Sequence, residues 1–198
     1  EKLALSYQPD ILRSGGGYID FLRHIGFKSH SIEEVDLAHS SLAWALAEKK
    51  GLPITLAVIF IELARRLGFD SFGINFPGHF LLSISGSLLD PASLSVLNRK
   101  TLSSKLEGTD LKVLDQPASP AVVAMRMLNN IKNQHLQSNS LDLVLQVLDY
   151  QEAVSLSHID FKGQIHFERG ETYGALGRAE SALTQYELAL TCTDNPVL

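Results

Sequence analysis

The sequence predicts an α+β fold for the first part of the chain and an all-α segment for the rest. Residues 1 to about 115 mix helical and strand patterns, whereas residues from about 119 onward show helical patterns alone. Between them, the stretch DQPASP at 115–120 contains two prolines, which cannot continue a helix. We therefore expect two domains, 1–116 and 119–198, with the helical domain packed on the first.

The first predicted elements are short helices at 18–25 and 42–49, and Gly51 ends the second of them. Ser31, followed three residues later by Glu34, is typical of a helix start, because the two side chains can cap each other's backbone N–H groups. The glycine triplet at 15–17 follows no predicted strand. It therefore indicates a flexible connection rather than a phosphate-binding loop.

The stretch GLPITLAVIFIELARRLGF at 51–69 predicts the clearest helix in the chain. Pro53 suits the first helical turn, where its missing N–H has no intrahelical partner. Arg65 and Arg66 suit the last turn, where the helix dipole favours cations, and Gly68 ends the helix. Apolar residues cover nearly all sides of this helix. We therefore expect it to be central and buried.

A small antiparallel sheet should follow, with strands near 71–76, 80–84 and 87–90 and a hairpin turn at Ser85-Gly86. A loop of two or four residues places Leu81 opposite Asp90, and His79 then lies diagonally on the same side. A loop of three residues places His79 and Asp90 on opposite sides. Beyond the hairpin, residues 93–115 predict turns and one weak helix near 99–106.

The helical part contains an internal repeat. Its last copy has small and aromatic residues at the spacing of a tetratricopeptide repeat: Gly170, Tyr173, Gly177, Ala182, Tyr186 and Ala189. A weaker copy lies 38 residues earlier, with Asn139, Val144 and Leu148 at the corresponding positions. Two copies are too few for a free-standing solenoid. We therefore expect Met125, Leu128 and Ile131, with Met127 on a flanking side, to contact the first domain.

Composition excludes several classes of function. The net charge of -5 argues against a nucleic-acid partner, and no apolar run is long enough to span a membrane. The N-terminal residues lack the basic start and the apolar run of a signal peptide. Cys192 is the only cysteine, so no disulfide can form within one chain, and a cytoplasmic location is expected. No motif predicts a metal site or a cofactor.

Several stretches together resemble bacterial regulators of the SirB type, which join a papain/transglutaminase-like core to tetratricopeptide repeats. The likeness rests on the segment from IGFKSHSIEEVDLAHS through the central helix, on FPGHFLL, on LDP and on QPASPAVVAMRMLNNIKNQHL. It covers most of the chain from about Tyr18. The family usually reads Asp-Pro-x-Asn-Ser where this chain has 36–40 as DLAHS. It also often has an aromatic residue and a glycine where Ala92 and Ser93 follow Asp90-Pro91 here.

The resemblance implies a cysteine nucleophile at the start of the central helix, with His79 and Asp90 as its histidine and aspartate. The corresponding stretch, 51–55, has no cysteine, and Cys192 lies in the last predicted helix. Thr55 is a weak candidate for a replacement, since a threonine at a helix start usually caps or packs. His79 and Asp90 form either a relic dyad or a structural pair. Further residues that could line this cleft are Trp44, Asn75 and Glu62.

The leading interpretation is a non-catalytic transglutaminase-like protein, without cofactor, that binds protein partners through its repeats and its cleft. Neither a nucleic acid nor a membrane is expected as a partner. One alternative is a hydrolase or acyltransferase that uses His79 and Asp90 with Thr55, a metal or a water molecule. The other is a small-molecule sensor that keeps the cleft for a ligand.

Overall fold

The computed structural model, which describes residues 12–28, 36–103, 111–155 and 161–192, divides the chain between Ser119 and Pro120 into two units. The first unit contains helices and a small antiparallel sheet, and the second contains helices. The helix start expected at Ser31 lies outside the described residues, as does the end of the helix expected near 99–106.

Four antiparallel strands in the order β1–β2–β3–β4 form the sheet of the first unit. They are β1 (Ser71–Phe76), β2 (His79–Ile84), β3 (Ser87–Asp90) and β4 (Ser95–Val96). The predicted hairpin has a two-residue turn, in which Ser85 and Gly86 have φ values of 47° and 79°. Positive φ at both positions is the requirement of a type I′ turn, whose twist matches that of the flanking strands. The turn thereby fixes the register of β2 and β3.

One side of the sheet is covered by α1 (Gly15–His24) and α3 (Pro53–Arg66), and the short α2 (Leu42–Glu48) packs on α3. Helix α3 begins at Pro53 as predicted, and its buried residues occupy more than one side, so it is the central helix of this unit. Tyr18 of α1 is fully buried and donates its hydroxyl to the carbonyl of Phe60 at 2.6 Å. Burial raises the pKa of Tyr18, so its phenol stays neutral.

The glycine triplet at 15–17 is helical, so the expected flexible connection was wrong. Helix α1 begins there because the Ser14 hydroxyl accepts the Gly17 N–H at 3.0 Å. A Cβ on Gly15 would lie 2.6 Å from the Cβ of Ser87, which is inside van der Waals contact. The first glycine is therefore needed for the close approach of α1 to β3, whereas Gly16 has open space around it.

The other side of the sheet packs against α4 (Arg99–Ser103) and a 3₁₀ turn at Leu111–Asp115. Its apolar core consists of alternate residues of the strands together with one leucine from each of these two elements: Ile74, Phe76, Leu81, Leu88, Leu102 and Leu114. Apolar side chains thus cover the sheet on both sides. Short strands can form a stable sheet here because apolar surface is buried on both of its sides.

The second unit is a series of antiparallel helices: α5 (Pro120–Gln137), α6 (Leu141–Val154), α7 (Lys162–Ala175) and α8 (Ala179–Thr191). Met125 of α5 is buried against Val144 and Leu148 of α6 and Ile165 of α7. These contacts form an apolar core within the unit.

The two helical hairpins follow the predicted spacing of 38 residues. Helix α5 ends 38 positions before α7 ends, and α6 begins 38 positions before α8 begins. Asn139 and Gly177, at equivalent places in the two turns, both have left-handed backbone, with φ of 52° and 72°. In the second hairpin, the ring of Tyr186 lies against Gly170, where a Cβ would be 2.5 Å from the ring. The predicted pairing of a small residue with an aromatic residue is therefore present.

Candidate functional site

His79 and Asp90 lie at the end of the β2–β3 hairpin that is away from its turn. His79, the first residue of β2, is exposed, and Asp90, the last residue of β3, is half-buried. The register pairs Leu82 with Leu89, so one further step brings Leu81 opposite Asp90. Because side chains alternate along a strand, His79 is on the same side as Leu81 and diagonal to Asp90. The two-residue turn thus puts both predicted residues on one side.

The carboxylate of Asp90 is hydrogen-bonded within the turn that follows β3. Its Oδ1 accepts the backbone N–H of Ala92 at 2.9 Å, and its Oδ2 accepts the hydroxyl of Ser93 at 2.7 Å. An aspartate directly before a turn commonly finds donors two and three residues later. Both carboxylate oxygens of Asp90 therefore accept hydrogen bonds from the turn.

The side of the sheet that carries His79 is not the side that α3 covers. His79 pairs with Phe76, which belongs to the core on the side of α4. Helix α3 contacts the opposite side, where Ser71 donates its hydroxyl to the carbonyl of Ile61 at 3.2 Å. A Cβ on Gly73 would also be 3.4 Å from Ile61. Strand alternation therefore separates the histidine side of the sheet from the helix that carries Thr55.

Thr55 lies in the first turn of α3 and is 1% exposed. Within the described chain, its hydroxyl is buried and has no hydrogen-bond partner. The N-cap residue Leu52 offers no side-chain cap to the helix, and its own N–H donates to the carbonyl of His39 at 3.0 Å. A nucleophilic hydroxyl needs a hydrogen-bonded base and access for substrate. The surroundings of Thr55 provide neither among the described residues.

The other predicted cleft residues have individual roles in the first unit. The Trp44 ring contacts the His39 ring edge-on at a centroid distance of 4.9 Å. Asn75 is exposed on β1, opposite Phe80. Glu62 lies in the second half of α3 and accepts hydrogen bonds from two arginines.

Cys192 is the C-cap residue of α8 in the second unit and is half-buried. Among the described residues, histidine, cysteine, aspartate and glutamate form no group of three that could hold a metal ion. Nor does any helix in the described ranges have the length and apolar character needed to cross a membrane.

The helical unit contains a buried polar network that the sequence reasoning missed. Lys132 is 5% exposed, and its ammonium donates to the Gln151 carbonyl oxygen at 3.3 Å and to the carboxylate of Glu168. Gln151 is fully buried and donates its amide to the Asn129 side-chain oxygen at 2.7 Å. The repeat contains the signal that could have found the network. Lys132 occupies, 38 positions earlier, the place of Gly170, where a charge is unexpected.

A second ion cluster links α6 and α7. Arg169 is 6% exposed, and its guanidinium pairs with Asp149 at 2.9 Å and with Glu152 at 2.7 Å. Glu152 and Asp149 are more exposed than the arginine, so the cluster extends from the interior to the surface. Helices α6 and α7 are therefore joined by charge as well as by apolar contact.

A groove of about 540 Å³ opens between α5 and α7. Each helix contributes one stripe of side chains at helical spacing, and α6 forms the floor; the lining residues are Asn129, Lys132, Asn133, Leu136, Leu141, Val144, Glu168, Glu171, Thr172 and Ala175. The walls are polar at one end, and the other end is apolar. Within the helical unit this groove combines volume with convergent polar groups, which is typical of a binding site.

The family comparison matches the transglutaminase-like superfamily over residues 19–129. This is more than half of the chain, and it includes the sheet, the central helix and the hairpin that carries His79 and Asp90. The chain therefore belongs to the transglutaminase-like superfamily.

The chain is also similar to bacterial proteins that are named only as members of UPF0162. It is 29% identical over 163 residues to a UPF0162 protein of Pseudomonas aeruginosa, covering 78% of this chain and 59% of the relative. It is 28% identical over 188 residues to one of Xylella fastidiosa, covering 86% and 66%. One from Vibrio cholerae is 24% identical over 192 residues, covering 89% and 68%. The chain thus spans less than two thirds of the first two relatives. No solved structure matches it.

Proposed function

We propose that this chain is a non-catalytic member of the transglutaminase-like superfamily that acts through protein–protein contact, as a regulator of the SirB type with tetratricopeptide-like repeats. The observation that carries the proposal is the start of α3. The stretch that would hold a nucleophilic cysteine contains none, and Thr55 there is buried with no hydrogen-bonded base among the described residues.

The helical unit supports the binding part of the proposal. Its two hairpins repeat at a fixed spacing, and the groove between α5 and α7 presents polar walls over an apolar floor. Stacked helical pairs use such concave surfaces to bind other proteins. The single cysteine, which cannot form a disulfide within the chain, favours action in the cytoplasm.

Two measurements on the full chain test this function. The first measures transamidation and peptide hydrolysis by the unaltered chain and by the variants His79→Ala and Thr55→Val. We expect no turnover above buffer. Turnover that either substitution abolishes would establish an enzyme and overturn the proposal.

The second measurement places a photo-crosslinking amino acid at Asn133 in the groove and, as a matched control, at Ala153 on the exposed surface of α6. When the crosslinking is carried out in the source cell, we expect the residue at position 133 to capture one defined protein partner and the residue at position 153 to capture none. Equal labelling at both positions would contradict a specific binding surface.

A further inference from the structure

The orientation of the Asn129 side chain in the groove is determined by a buried lysine. An ammonium group can only donate hydrogen bonds, so Lys132 fixes the oxygen of the Gln151 amide toward itself. The Gln151 NH₂ group then faces Asn129 and donates to its Oδ1 at 2.7 Å. The NH₂ group of Asn129 is left without a partner among the described residues. Asn129 therefore lines the groove as a pre-oriented hydrogen-bond donor.

A second carboxamide lies one turn further along α5. Asn133 is exposed, lines the same groove, and makes no side-chain hydrogen bond within the described chain. Two carboxamides at this spacing suit consecutive peptide groups of an extended ligand. Each can donate to a ligand backbone carbonyl, and Asn133 can also accept a ligand backbone N–H. The stripe from Asn129 to Leu136 is about 10 Å long at 1.5 Å per residue. That length matches about three residues of extended chain.

The opposite wall carries an excess of negative charge. The charge of Glu168 is compensated by Lys132, which donates to its carboxylate. Glu171 has no cation beside it among the described residues, and its partner is the hydroxyl of Tyr186, which donates to Oε1. That hydrogen bond to a carboxylate raises the pKa of Tyr186, so the phenol remains a donor. The second carboxylate oxygen of Glu171 has no hydrogen-bond partner among the described residues, and the residue lines the groove.

The rest of the groove is apolar. Its floor and far end consist of aliphatic side chains from three helices: Leu136, Leu141, Val144 and Ala175. Leu136 is 46% exposed, so an apolar ligand group would remove its surface from water.

We propose that the groove between α5 and α7 binds an extended peptide segment of a partner protein that carries one basic and one apolar side chain. Asn129 and Asn133 bond its backbone, Glu171 pairs with its basic side chain, and the apolar end takes its apolar side chain. This inference rests on the proposed function, because it names the partner chemistry for the same helical unit.

The test uses the full chain labelled with ¹⁵N and three acetylated, amidated hexapeptides. The first is Ser-Leu-Ser-Arg-Ser-Gly, and the others carry norleucine or glutamate in place of arginine. NMR titration reports each Kd and whether the side-chain amide signals of Asn129 and Asn133 shift. We expect the arginine peptide to bind at least fivefold more tightly than the norleucine peptide and at least tenfold more tightly than the glutamate peptide.

Three variants, one of them a control, locate the effect. Glu171→Gln should remove the preference for arginine, whereas Glu187→Gln, at an exposed position of α8, should keep it. Asn133→Ala should weaken all three peptides by roughly three- to tenfold, the effect of one hydrogen bond. Unchanged thermal melting of each variant shows that the fold is intact.

A glutamate peptide that binds as tightly as the arginine peptide would overturn the inference. An arginine preference that survives Glu171→Gln would also overturn it, as would NMR signal shifts confined to residues outside α5 and α7. The inference fails as well if no peptide binds with a Kd below about 5 mM, which corresponds to a binding energy near 3 kcal/mol. If a partner still crosslinks at Asn133 while the arginine preference is absent, the proposed function stands and this inference alone fails. If neither is seen, both fail.

Discussion

The aromatic ring of Tyr186 lies directly on the backbone of α7 at Gly170. A Cβ at position 170 would be only 2.5 Å from a carbon of that ring. The same tyrosine donates its hydroxyl to Glu171 on the next position of α7. One glycine thus allows the last two helices to approach closely and also places the carboxylate that faces the groove.

Gly170→Ala should lower the free energy of unfolding by about 1–2 kcal/mol, because overpacking against the ring exceeds the gain in helix propensity. Urea unfolding followed by circular dichroism measures the change. Gly174→Ala on the same helix is the matched control, since its Cβ would meet only the Tyr186 hydroxyl at 4.0 Å. The control should be neutral or stabilising, and equal effects at the two positions would contradict the packing described.

Gly15 and Gly16 form a similar pair at the start of α1. Gly15→Ala should destabilise the chain by about 1–3 kcal/mol, because the new methyl group would overlap Ser87. Gly16→Ala should stabilise it by about 0.5–1 kcal/mol, the difference in helix propensity. Thermal unfolding of the two variants measures both changes. Opposite signs are expected, and stabilisation by both would show that α1 does not contact β3 this closely.

The bonds of Asp90 predict how the two hairpin residues behave when they are replaced. Asp90→Ala should cost about 1–2 kcal/mol of stability because the N–H of Ala92 and the hydroxyl of Ser93 lose their acceptor. His79→Ala, at an exposed position, should change stability by less than about 0.5 kcal/mol. In the double variant the effects should add to within about 0.5 kcal/mol. A larger coupling would indicate a direct bond between the two side chains.

Replacement of Lys132 by methionine tests the buried network. Lys132→Met should destabilise the helical unit by about 2–3 kcal/mol, because Gln151 loses a donor inside the protein and Glu168 loses its cation. The surface substitution Lys50→Met should have little effect. Adding Glu168→Gln to Lys132→Met should restore part of the loss. Two independent, additive losses would show that the pair is not coupled.

The pH dependence of stability should include a contribution from Glu62. Hydrogen bonds from Arg65 and Arg66 lower the pKa of Glu62 to about 2, from an ordinary value of 4.5. A carboxylate with a lowered folded-state pKa stabilises the fold above its ordinary pKa, and the contribution is lost as the pH falls from about 4.5 toward 2. Glu62→Gln should therefore be less stable than the unaltered chain at neutral pH. The difference in free energy of unfolding should shrink as the pH falls from about 4.5 toward 2. Because these groups are exposed, high salt should reduce the difference at neutral pH, and a constant difference at all pH values would contradict the assignment.

The sequence was sufficient for features that depend on local chemistry. The Ser85-Gly86 turn predicted a hairpin, Pro53 marked the start of α3, and the small and aromatic residues of the last copy predicted a pair of closely packed helices. Each of these signals lies within the element that it specifies. The small antiparallel sheet, the central helix and the superfamily were therefore predictable.

Features that depend on distant contacts were not predictable. The close approach of α1 to β3 requires a glycine at position 15, beside Ser87, which is far away in the sequence. The alternation of side chains along the strands allowed His79 and Asp90 to lie on one side of the hairpin, but it did not indicate that α3 covers the other side. The carboxylate of Asp90 accepts hydrogen bonds from Ala92 and Ser93 in the turn that follows β3. The repeat spacing places Lys132 at the position of Gly170, which marks it as unusual, but nothing near Lys132 indicates Glu168 as its partner.

The distance between Lys132 and Glu168 along the chain, 36 residues, has a consequence for synthesis. When α5 and α6 have left the ribosome, Glu168, whose carboxylate compensates Lys132, is still inside the exit tunnel. The nascent first hairpin must keep this ammonium group hydrated, since burying it alone costs more than the surrounding contacts provide. Closure of the first hairpin therefore waits for α7, and the helices mature together rather than one repeat at a time.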